Sequence, residues 1–432
     1  MRRWYGVRRL YEPRFRERTL LTLLAIAVAY YAWWSVQQWL TLDANALRFD
    51  FVNYFNGAHA ALSGGDIYAD FDRLWGTQAW TVAYIYPPFF ALVLAPLTSL
   101  GLVTAGRVWL ILIQLTFAAD LWLILRISPE LSKSARRIFL LAAFVFMPVY
   151  LNLKFQQVAT LWLLLLAATL WAGLARRNRL TGLFIAVAAS LKVVPIFLIP
   201  LFGRLRRWST VVFASAFLIA ITAISLVLSP SSLQFFTVVL PRIGLGNSNW
   251  DNGSITGLVS RFVAFYPSAF GGSTASVAKG LILVGVAAIL GLTLWLVLGR
   301  DGPWMLRLGT GALVTALLMV SSVTWQHHLV VLLLPMAIAM AWIQARRPGA
   351  LYGWWLAAGY ALCWLDRRAF PLPTDQAVHS SGQALLVLAG TSIKLAGLTL
   401  IWVLFLRMLR LERAIVLRQP RATAEPAASS AA

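Results

Sequence analysis

Residues 19–42 read TLLTLLAIAVAYYAWWSVQQWLTL and contain no charged side chain, and residues 43–88 continue with DANALRFDFVNYFNGAHAALSGGDIYADFDRLWGTQAWTVAYIYPP. The first stretch is long enough to cross the ~30 Å hydrocarbon core of a bilayer as one α-helix. The second carries Asp43, Asp50, Asp66, Asp70 and Asp72, and it ends where another apolar stretch begins. Together they predict a membrane helix followed by a polar segment at the bilayer surface.

The composition of the whole chain extends this prediction. Hydrophobic residues make up 60% and charged residues 12% of the 432 residues, whereas roughly a quarter of the residues of a soluble protein are charged. Apolar stretches recur along the sequence, and we expect about 11 to 13 membrane spans. The predicted fold class is an all-α, polytopic membrane protein with one integral membrane domain at 19–418. A basic arm precedes it at 1–18, and an Ala-, Ser- and Pro-rich tail, predicted to be disordered, follows at 419–432.

The net charge of +22 reflects where arginine and lysine are placed. Most of the 37 basic residues lie in the N-terminal arm, the C-terminal tail and short clusters between apolar stretches. The clusters are Arg126/Lys133/Arg136/Arg137, Arg176/Arg177/Arg179, Arg204/Arg206/Arg207, Arg300/Arg307 and Arg346/Arg347. Such clusters mark cytoplasmic loops, so they predict anionic lipids as partners and no nucleic acid. They place the N-terminus in the cytoplasm and the loop at 43–86 on the extracytoplasmic side.

One region conflicts with this orientation if every apolar stretch is a span. Treating both 88–100 and 103–125 as full spans would place the basic stretch 126–137 outside. The first of the two is short and carries Pro88 and Pro96. We therefore expect a half-span or re-entrant segment there, since irregular backbone at membrane depth is tolerated when protein surrounds it.

Asp50 has the most apolar surroundings among the acids of the outer loop. It lies between Phe49 and Phe51, a few residues after the first span. Partial desolvation at such a place raises a carboxyl pKa toward the range that suits a general base. A solvated loop acid or a helix cap is the alternative. Asp66 follows two glycines, where a cap or turn is the simplest role.

Several cationic residues are predicted on the same outer face. Lys192 lies between two apolar segments that are each too short to span the bilayer, and an ammonium at that depth needs a partner such as a lipid phosphate. Snorkelling to the interface is the alternative. Arg261 suits a phosphate through bidentate hydrogen bonds. His327 and His328 begin a later span, and one of them suits a proton or a phosphate, although an interfacial role is equally open.

Three neutral residues complete the polar set. Tyr86 begins the YPP sequence that returns the chain to the bilayer, and Gln156 lies with Gln157 in a short outer turn. Asn252 lies in the loop GNSNWDNGS, whose amides and hydroxyls suit sugar hydroxyls. Ordinary turn and interface roles are the alternative for all three. The sequence contains no P-loop, dinucleotide fingerprint or metal-spaced cysteine and histidine cluster, and its single Cys363 excludes an internal disulfide.

In this order the fragments resemble glycosyltransferase family 87 (GT87), membrane enzymes of the GT-C fold that use polyprenol-phosphate sugars and include actinobacterial mannosyltransferases. The fragments are DFVNYFNGAHAALSGGDIY at 50–68, YPPFFALVLAPL at 86–97, LKFQQVATL at 153–161, GLFIAVAASLKVVP at 182–195 with RRW at 206–208, NGSITGLVSR at 252–261 and WQHHLVVLLLP at 325–335. One departure stands out, because the family usually shows Gly-Gln-Asn where this chain has Phe155, Gln156 and Gln157.

The resemblance implies a GT-C-type bundle that moves a hexose, such as mannose, from a polyprenyl-phosphate donor to a glycolipid or glycan acceptor. The transfer is expected on the extracytoplasmic face of the cell membrane, with inversion, and without a metal site or a cofactor besides the lipid-phosphate sugar. Asp50 matches the catalytic base. Four cationic or ionisable residues match positions around the donor phosphate: Lys192, Arg261, His327 and His328. The candidates for acceptor and sugar contacts are Asp66, Tyr86, Gln156 and Asn252.

Three other functions are weighed against this interpretation. A lipid-linked sugar flippase or transporter should carry functional charge through the membrane midplane and toward both faces, whereas the candidates here collect on one face. A GT-C enzyme of another family should show an acidic pair early in the first loop, but residues 48–51 contain the single acid Asp50. A structural scaffold does not explain Lys192.

Overall fold

Helices provide the regular structure in the part of the chain that the computed structural model describes. That part comprises residues 13–43, 50–74, 83–269, 274–297, 299, 301–366 and 380–418, without the side chains of 13–16, 72 and 418. Most of the basic arm, the tail at 419–432, and the neighbours Arg48 and Phe49 of Asp50 lie outside the described residues. Within them the chain is all-α, as the composition predicts.

The α-helices are numbered in chain order. They are α1 (Pro13–Leu40), α2 (Asp50–Leu62), α3 (Ala69–Leu74), α4 (Pro88–Leu94), α5 (Leu102–Arg126), α6 (Lys133–Val145), α7 (Met147–Lys154), α8 (Ala159–Leu174), α9 (Asn178–Leu191), α10 (Leu198–Arg204), α11 (Trp208–Leu228), α12 (Ser232–Gln234), α13 (Leu240–Ile243), α14 (Ile255–Phe265), α15 (Thr274–Leu296), α16 (Pro303–Val320), α17 (Leu333–Arg346), α18 (Ala350–Trp364), α19 (Ser381–Thr391) and α20 (Ile393–Arg418). Short 3₁₀ segments lie at Ala95–Leu100, Val194–Phe197, Pro267–Ala269 and Gln326–Leu332, and a π-helical segment lies at Phe235–Val239.

Six helices in the described chain are long and apolar enough to cross a membrane, and the number rises to eight if two bent pairs count as one span each. The bent pairs are α6 with α7, at 43°, and α19 with α20, at 51°. The sequence-based expectation of about 11 to 13 spans is higher, because several apolar stretches form helices of 10–17 residues. A helix rises about 1.5 Å per residue, so those helices fall short of a full crossing on their own.

The segment Pro88–Leu100 is one of these short helices, as its two prolines led us to expect. α4 begins with Pro88 at its first turn, where the missing N–H leaves no hydrogen bond unmade, and the chain tightens into a 3₁₀ turn at Ala95. The segment packs against α2 and α11. The long helix α5 then follows and makes the crossing.

The two ends of the bundle are defined by contacts at opposite ends of α5. Near its start, the Trp109 indole N–H donates to the carbonyl oxygen of Gln156 at 2.7 Å. Beyond its last residue the chain enters α6, where Arg137 pairs with Glu17 of α1 at 2.5 Å. Arg307 likewise pairs with Glu130 at 2.6 Å. The basic clusters and their acidic partners therefore gather at the end away from Gln156.

Buried helices α16 and α17 form the centre of the bundle, and α8 and α20 pack against α16. Small residues allow close approaches within this core. A methyl group added at Gly311 of α16 would lie 2.4 Å from the Phe405 ring of α20. The rigid core supports the short helices and breaks that carry the polar side chains at the Gln156 end.

Candidate active site

A cavity of about 510 Å³ opens at the Gln156 end of the bundle. Its walls come from the start of α2, the turn before α4, the turn between α7 and α8, the break after α9, the π-helical segment and the turn after α16. The ionisable residues on the walls are Asp50, Lys192, Asp251, His327, His328, Tyr86 and Asp366. Residues that are far apart in the sequence thus share one chamber.

Asp50 is the first residue of α2, where the positive end of the helix dipole favours a carboxylate. The side chain is half-buried and lines the cavity. Burial raises the pKa of Asp50 to about 6, against the lowering effects of a hydrogen bond with Gln157 and the positive charge of Lys192. A carboxylate with that pKa is ionised at neutral pH and still accepts a proton readily.

Gln157 connects Asp50 to two tyrosines. Its Oε1 lies 3.1 Å from the Tyr54 hydroxyl and 3.3 Å from the Tyr86 hydroxyl, and the two hydroxyl oxygens are 3.0 Å apart. All three side chains are buried at this end of the bundle. Tyr86 is one of the predicted sugar-binding residues, and the structure places it on the cavity wall beside Asp50.

Lys192 lies where α9 ends and the chain turns into a 3₁₀ segment. Its backbone is extended, with φ −150° and ψ 123°, and Pro195 lies in the first turn of the next segment, so α9 does not continue. The ammonium nitrogen lies 4.7 Å from the centroid of the Trp162 ring, a cation–π contact. The break therefore holds a lysine charge at the cavity wall, where it acts electrostatically on Asp50.

His327 and His328 lie on the cavity wall in the 3₁₀ segment that precedes α17. Their rings are nearly perpendicular, with centroids 4.5 Å apart. The backbone N–H of Trp325 donates to Nδ1 of His328 at 3.2 Å, which fixes that ring. Nε2 of His327 is buried and has no hydrogen-bond partner among the described residues, so it remains available to a ligand. The described residues contain no group of three or more metal-ligating side chains.

Asn252 and Arg261 are buried next to the cavity, but neither is one of the described residues that line it. Oδ1 of Asn252 accepts from the Thr324 N–H at 3.0 Å, and its Nδ2 donates to the Ser322 carbonyl at 3.0 Å. Nη1 of Arg261 donates to the carbonyl of Asn252 at 3.0 Å. These bonds fasten the loop before α14 to the wall segment after α16. Direct ligand contacts by Asn252 and Arg261 stay predictions.

Asp66 and Gln156 also lie outside the described cavity lining. Asp66 accepts hydrogen bonds from the Tyr68 N–H at 2.9 Å and from Nε2 of Gln234 at 3.1 Å, as expected for a turn residue. Gln156 has a left-handed backbone, with φ 54°, and its side chain is buried. Their contacts with a sugar stay predictions as well.

The structure adds residues that the sequence patterns did not single out. Gln157, rather than its neighbour Gln156, faces the cavity and contacts Asp50. Trp162 supports Lys192, and Asp366 joins Asp251 on the wall. Nothing in the sequence separates the two adjacent glutamines, because the positive φ of Gln156 decides which side chain faces inward.

Comparison with known proteins gives consistent matches. The model of "Glycosyltransferase family 87" matches residues 84–322. A Mycolicibacterium smegmatis protein called polyprenol-phosphate-mannose-dependent alpha-(1-2)-phosphatidylinositol pentamannoside mannosyltransferase is 30% identical over 336 residues, 74% of this chain and 76% of that protein. A Mycobacterium tuberculosis protein with the same name is 30% identical over 374 residues, 81% and 79% of the two chains.

A third relative, also from Mycolicibacterium smegmatis, is 27% identical over 352 residues, which cover 75% of this chain and 76% of that protein. Its name describes a polyprenol-phosphate-mannose-dependent alpha-(1-2)-phosphatidylinositol mannoside mannosyltransferase. The three alignments extend over most of both partners, so they cover much more than the 84–322 match alone.

Proposed function

Because the chain belongs to glycosyltransferase family 87 and is a membrane glycosyltransferase, we propose that it transfers mannose from polyprenyl-phosphate mannose to a hydroxyl group of a mannosylated phosphatidylinositol. The relatives' names supply the donor and the class of acceptor. We further propose that transfer inverts the anomeric centre and occurs on the extracytoplasmic face of the cell membrane.

The observation that carries the proposal is that Asp50 and Lys192 line the same cavity and lie close enough to interact electrostatically. A glycosyl transfer needs a base for the incoming hydroxyl and a cation for the leaving phosphate. In this mechanism the Asp50 carboxylate takes the proton of the acceptor hydroxyl. The acceptor oxygen bonds to the anomeric carbon from the side opposite the phosphate, and the bond between that carbon and the phosphate oxygen breaks.

Polyprenyl phosphate departs with the bonding electron pair, and Lys192 stabilises the charge that develops on it. Nε2 of His327, which lies on the same wall without a partner among the described residues, offers a further contact to the phosphate oxygens. The three residues thus divide two tasks: the Asp50 carboxylate receives the acceptor proton, whereas Lys192 and His327 hold the leaving group.

An apolar part of the cavity wall suits the lipid portions of both substrates. Its side chains come from the break after α9, the π-helical segment and α13: Val193, Val194, Phe235, Leu240 and Ile243. Each isoprene unit that enters such a surface leaves water or headgroups, a favourable transfer of apolar area. The donor phosphate can therefore reach Lys192 while its chain stays in an apolar environment.

The flippase alternative predicts functional charge toward both faces of the membrane. Near the opposite end, arginines of two basic clusters are instead paired with acids, in the Arg207–Asp301 and Arg346–Glu412 pairs at 2.5 and 2.6 Å. Family membership favours the enzyme, and so does the gathering of Asp50, Lys192 and the two histidines on the wall of one cavity.

The proposal is tested with purified protein in lipid nanodiscs and a panel of radiolabelled donors. Polyprenyl-phosphate mannose, glucose and arabinose are each supplied with phosphatidylinositol mannosides, and the labelled glycolipid is analysed for linkage and anomeric configuration. We expect label only from the mannose donor, in an inverted linkage. Transfer from glucose or arabinose alone, or no transfer from any donor, contradicts the proposed substrates.

A further inference from the structure

The backbone that carries Gln157 is fixed at several points. Its N–H donates to the carbonyl of Asn152 at 2.9 Å, and the preceding residue adopts φ 54°, a left-handed conformation that closes the turn between α7 and α8. The carbonyl of Gln156 accepts the Trp109 indole N–H at 2.7 Å. A side chain on so constrained a turn, with only 1% of its surface exposed, has one direction in which to point.

The direction of the Gln157 amide follows from the chemistry of its neighbours. The hydroxyls of Tyr54 and Tyr86 lie within 3.1 and 3.3 Å of Oε1. An ionised carboxylate only accepts hydrogen bonds, so the end of the amide that faces Asp50 is the Nε2 donor, and the oxygen faces the two phenols, which can both donate to it. The Nε2 donor is then directed away from the tyrosines, and Gln157 hydrogen-bonds with the Asp50 carboxylate.

We propose that Gln157 is the positioning residue for the Asp50 base: the two tyrosines hold its amide, and the amide N–H holds the carboxylate in place and in its ionised form. A hydrogen bond that favours the charged form of an acid lowers its pKa and fixes its rotamer. This inference rests on the proposed function only for its effect on rate, since the ionisation of Asp50 can be followed without substrate.

The other titratable groups near Asp50 show why an uncharged hydrogen-bond partner matters for keeping its carboxyl ionised. The cavity wall presents Lys192 from the break after α9, His327 and His328 from the segment before α17, and the acids Asp251 and Asp366. Lys192 is the cation that acts on Asp50 in the free protein. A donor phosphate bound to Lys192 offsets that positive charge, whereas the Gln157 hydrogen bond is unaffected. Gln157 therefore keeps Asp50 ionised in the donor complex.

The test compares pH–rate profiles of the wild type with Gln157→Leu and Gln157→Glu. Gln157→Leu removes the amide that hydrogen-bonds to Asp50, so the acidic midpoint of kcat should move up by about 1 pH unit. At pH 6 the smaller ionised fraction of Asp50 alone then lowers the rate about fivefold. Gln157→Glu adds a like charge and should move the midpoint further upward. KM for the donor should stay within about twofold, because Gln157 does not hold the phosphate.

Thr116→Val is the matched control. It removes a 2.8 Å hydrogen bond to Thr160 between α5 and α8, away from the cavity lining, and should leave the midpoint unchanged. An unchanged midpoint in both Gln157 variants overturns the inference, and so does an equal shift in the control.

A second measurement needs no turnover. Infrared difference spectra recorded during acid titration report the protonated carboxyl band of Asp50, assigned by its loss in Asp50→Asn. We expect the titration midpoint of that band to rise in Gln157→Leu. If the midpoint rises but wild-type protein transfers no mannose, the proposed function fails and the positioning role stands. If mannose is transferred while both midpoints stay fixed, the positioning role fails alone.

Discussion

At the scale of single residues, the reactivity of Asp50 is a balance between desolvation and two compensating partners. Burial raises its pKa to about 6, and both the Gln157 hydrogen bond and the Lys192 charge oppose that rise. Removing those partners would leave the effect of burial unopposed, so the pKa of Asp50 would rise further and less of the carboxyl would be ionised at neutral pH. Asp50, Gln157 and Lys192 therefore determine how much of the base is ionised near neutral pH.

The first prediction concerns pH. The pKa of Asp50 lies above the usual value for aspartate, and its active form is the ionised one. Burial lowers the pKa of Lys192 to about 7, and its active form is the protonated one. The value of kcat/KM for mannose transfer should therefore be highest between about pH 6 and 7 and fall as the pH drops through about 6. Measuring initial rates from pH 5 to 8 tests this. A rate that is flat down to pH 5, or that declines only on the alkaline side, would contradict the assignment of Asp50 as the base.

The second prediction concerns Lys192. Replacing it by alanine should lower kcat by about 10²–10³-fold, because the departing phosphate loses its nearest cation. Lys192→Arg keeps the charge and should recover part of the rate. Lys154→Ala is the matched control, because Lys154 is an exposed lysine at the end of α7 that does not line the cavity. Equal losses in the Lys192 and Lys154 alanine variants would show that Lys192 has no special role.

At the scale of elements, the site depends on interruptions of helices more than on the helices themselves. The break after α9 presents Lys192, the left-handed turn after α7 presents Gln157, and the 3₁₀ segment before α17 presents the two histidines. The loop before α14 is tied to the wall by Asn252, whose amide bonds to both Ser322 and Thr324. These local irregularities place polar groups side by side that regular helices would distribute around their surfaces.

The third prediction concerns the loop before α14. Asn252→Ala leaves the buried Ser322 carbonyl and Thr324 N–H without their hydrogen bonds to the side chain. The variant should therefore be destabilised by about 2 kcal/mol or more. Arg261→Met should act in the same direction, because Arg261 holds the Asn252 carbonyl. Melting temperatures of the purified variants in detergent provide the measurement. Normal stability combined with a selective rise in donor KM for Arg261→Met would instead support the phosphate role that the sequence suggested.

The sequence predicts part of the cavity lining, because residue type and the placement of charge along the chain are both encoded in it. Asp50, Lys192 and the histidine pair are chemically conspicuous in an apolar chain, and the structure brings them to one cavity. Asn252 and Arg261 look equally suitable as ligands in the sequence; in the structure both donate to backbone carbonyls, and their contacts with a ligand stay predictions. The choice of Gln157 over Gln156 depends on one backbone dihedral, which residue type alone does not reveal.

At the scale of the whole molecule, polar chemistry and basic charge lie at opposite ends of the bundle. The cavity lies at the end where α1 finishes, and the Glu17–Arg137 and Glu130–Arg307 pairs lie at the other. Arginine and lysine clusters are retained on the cytoplasmic side of membrane proteins. The separation therefore supports the proposal that the cavity opens toward the extracytoplasmic side.

The fourth prediction concerns this orientation. Ser63→Cys and Ser134→Cys place single exposed thiols at the cavity end and at the basic end, while the natural Cys363 is buried. In intact cells a membrane-impermeant maleimide should label the first variant, and should label the second only after the membrane is opened. The reverse pattern would place the cavity in the cytoplasm and contradict the proposed location.

The most direct test of the central claim, that the Asp50 carboxylate is the base for transfer from a lipid-phosphate sugar, is single-turnover mannose transfer by wild type and Asp50→Asn. Asparagine has nearly the same shape but accepts no proton, so the single-turnover rate constant should fall by about 10²–10⁴-fold. Donor binding, measured by equilibrium binding of the radiolabelled lipid, should be retained. A near-normal rate in Asp50→Asn would contradict the account.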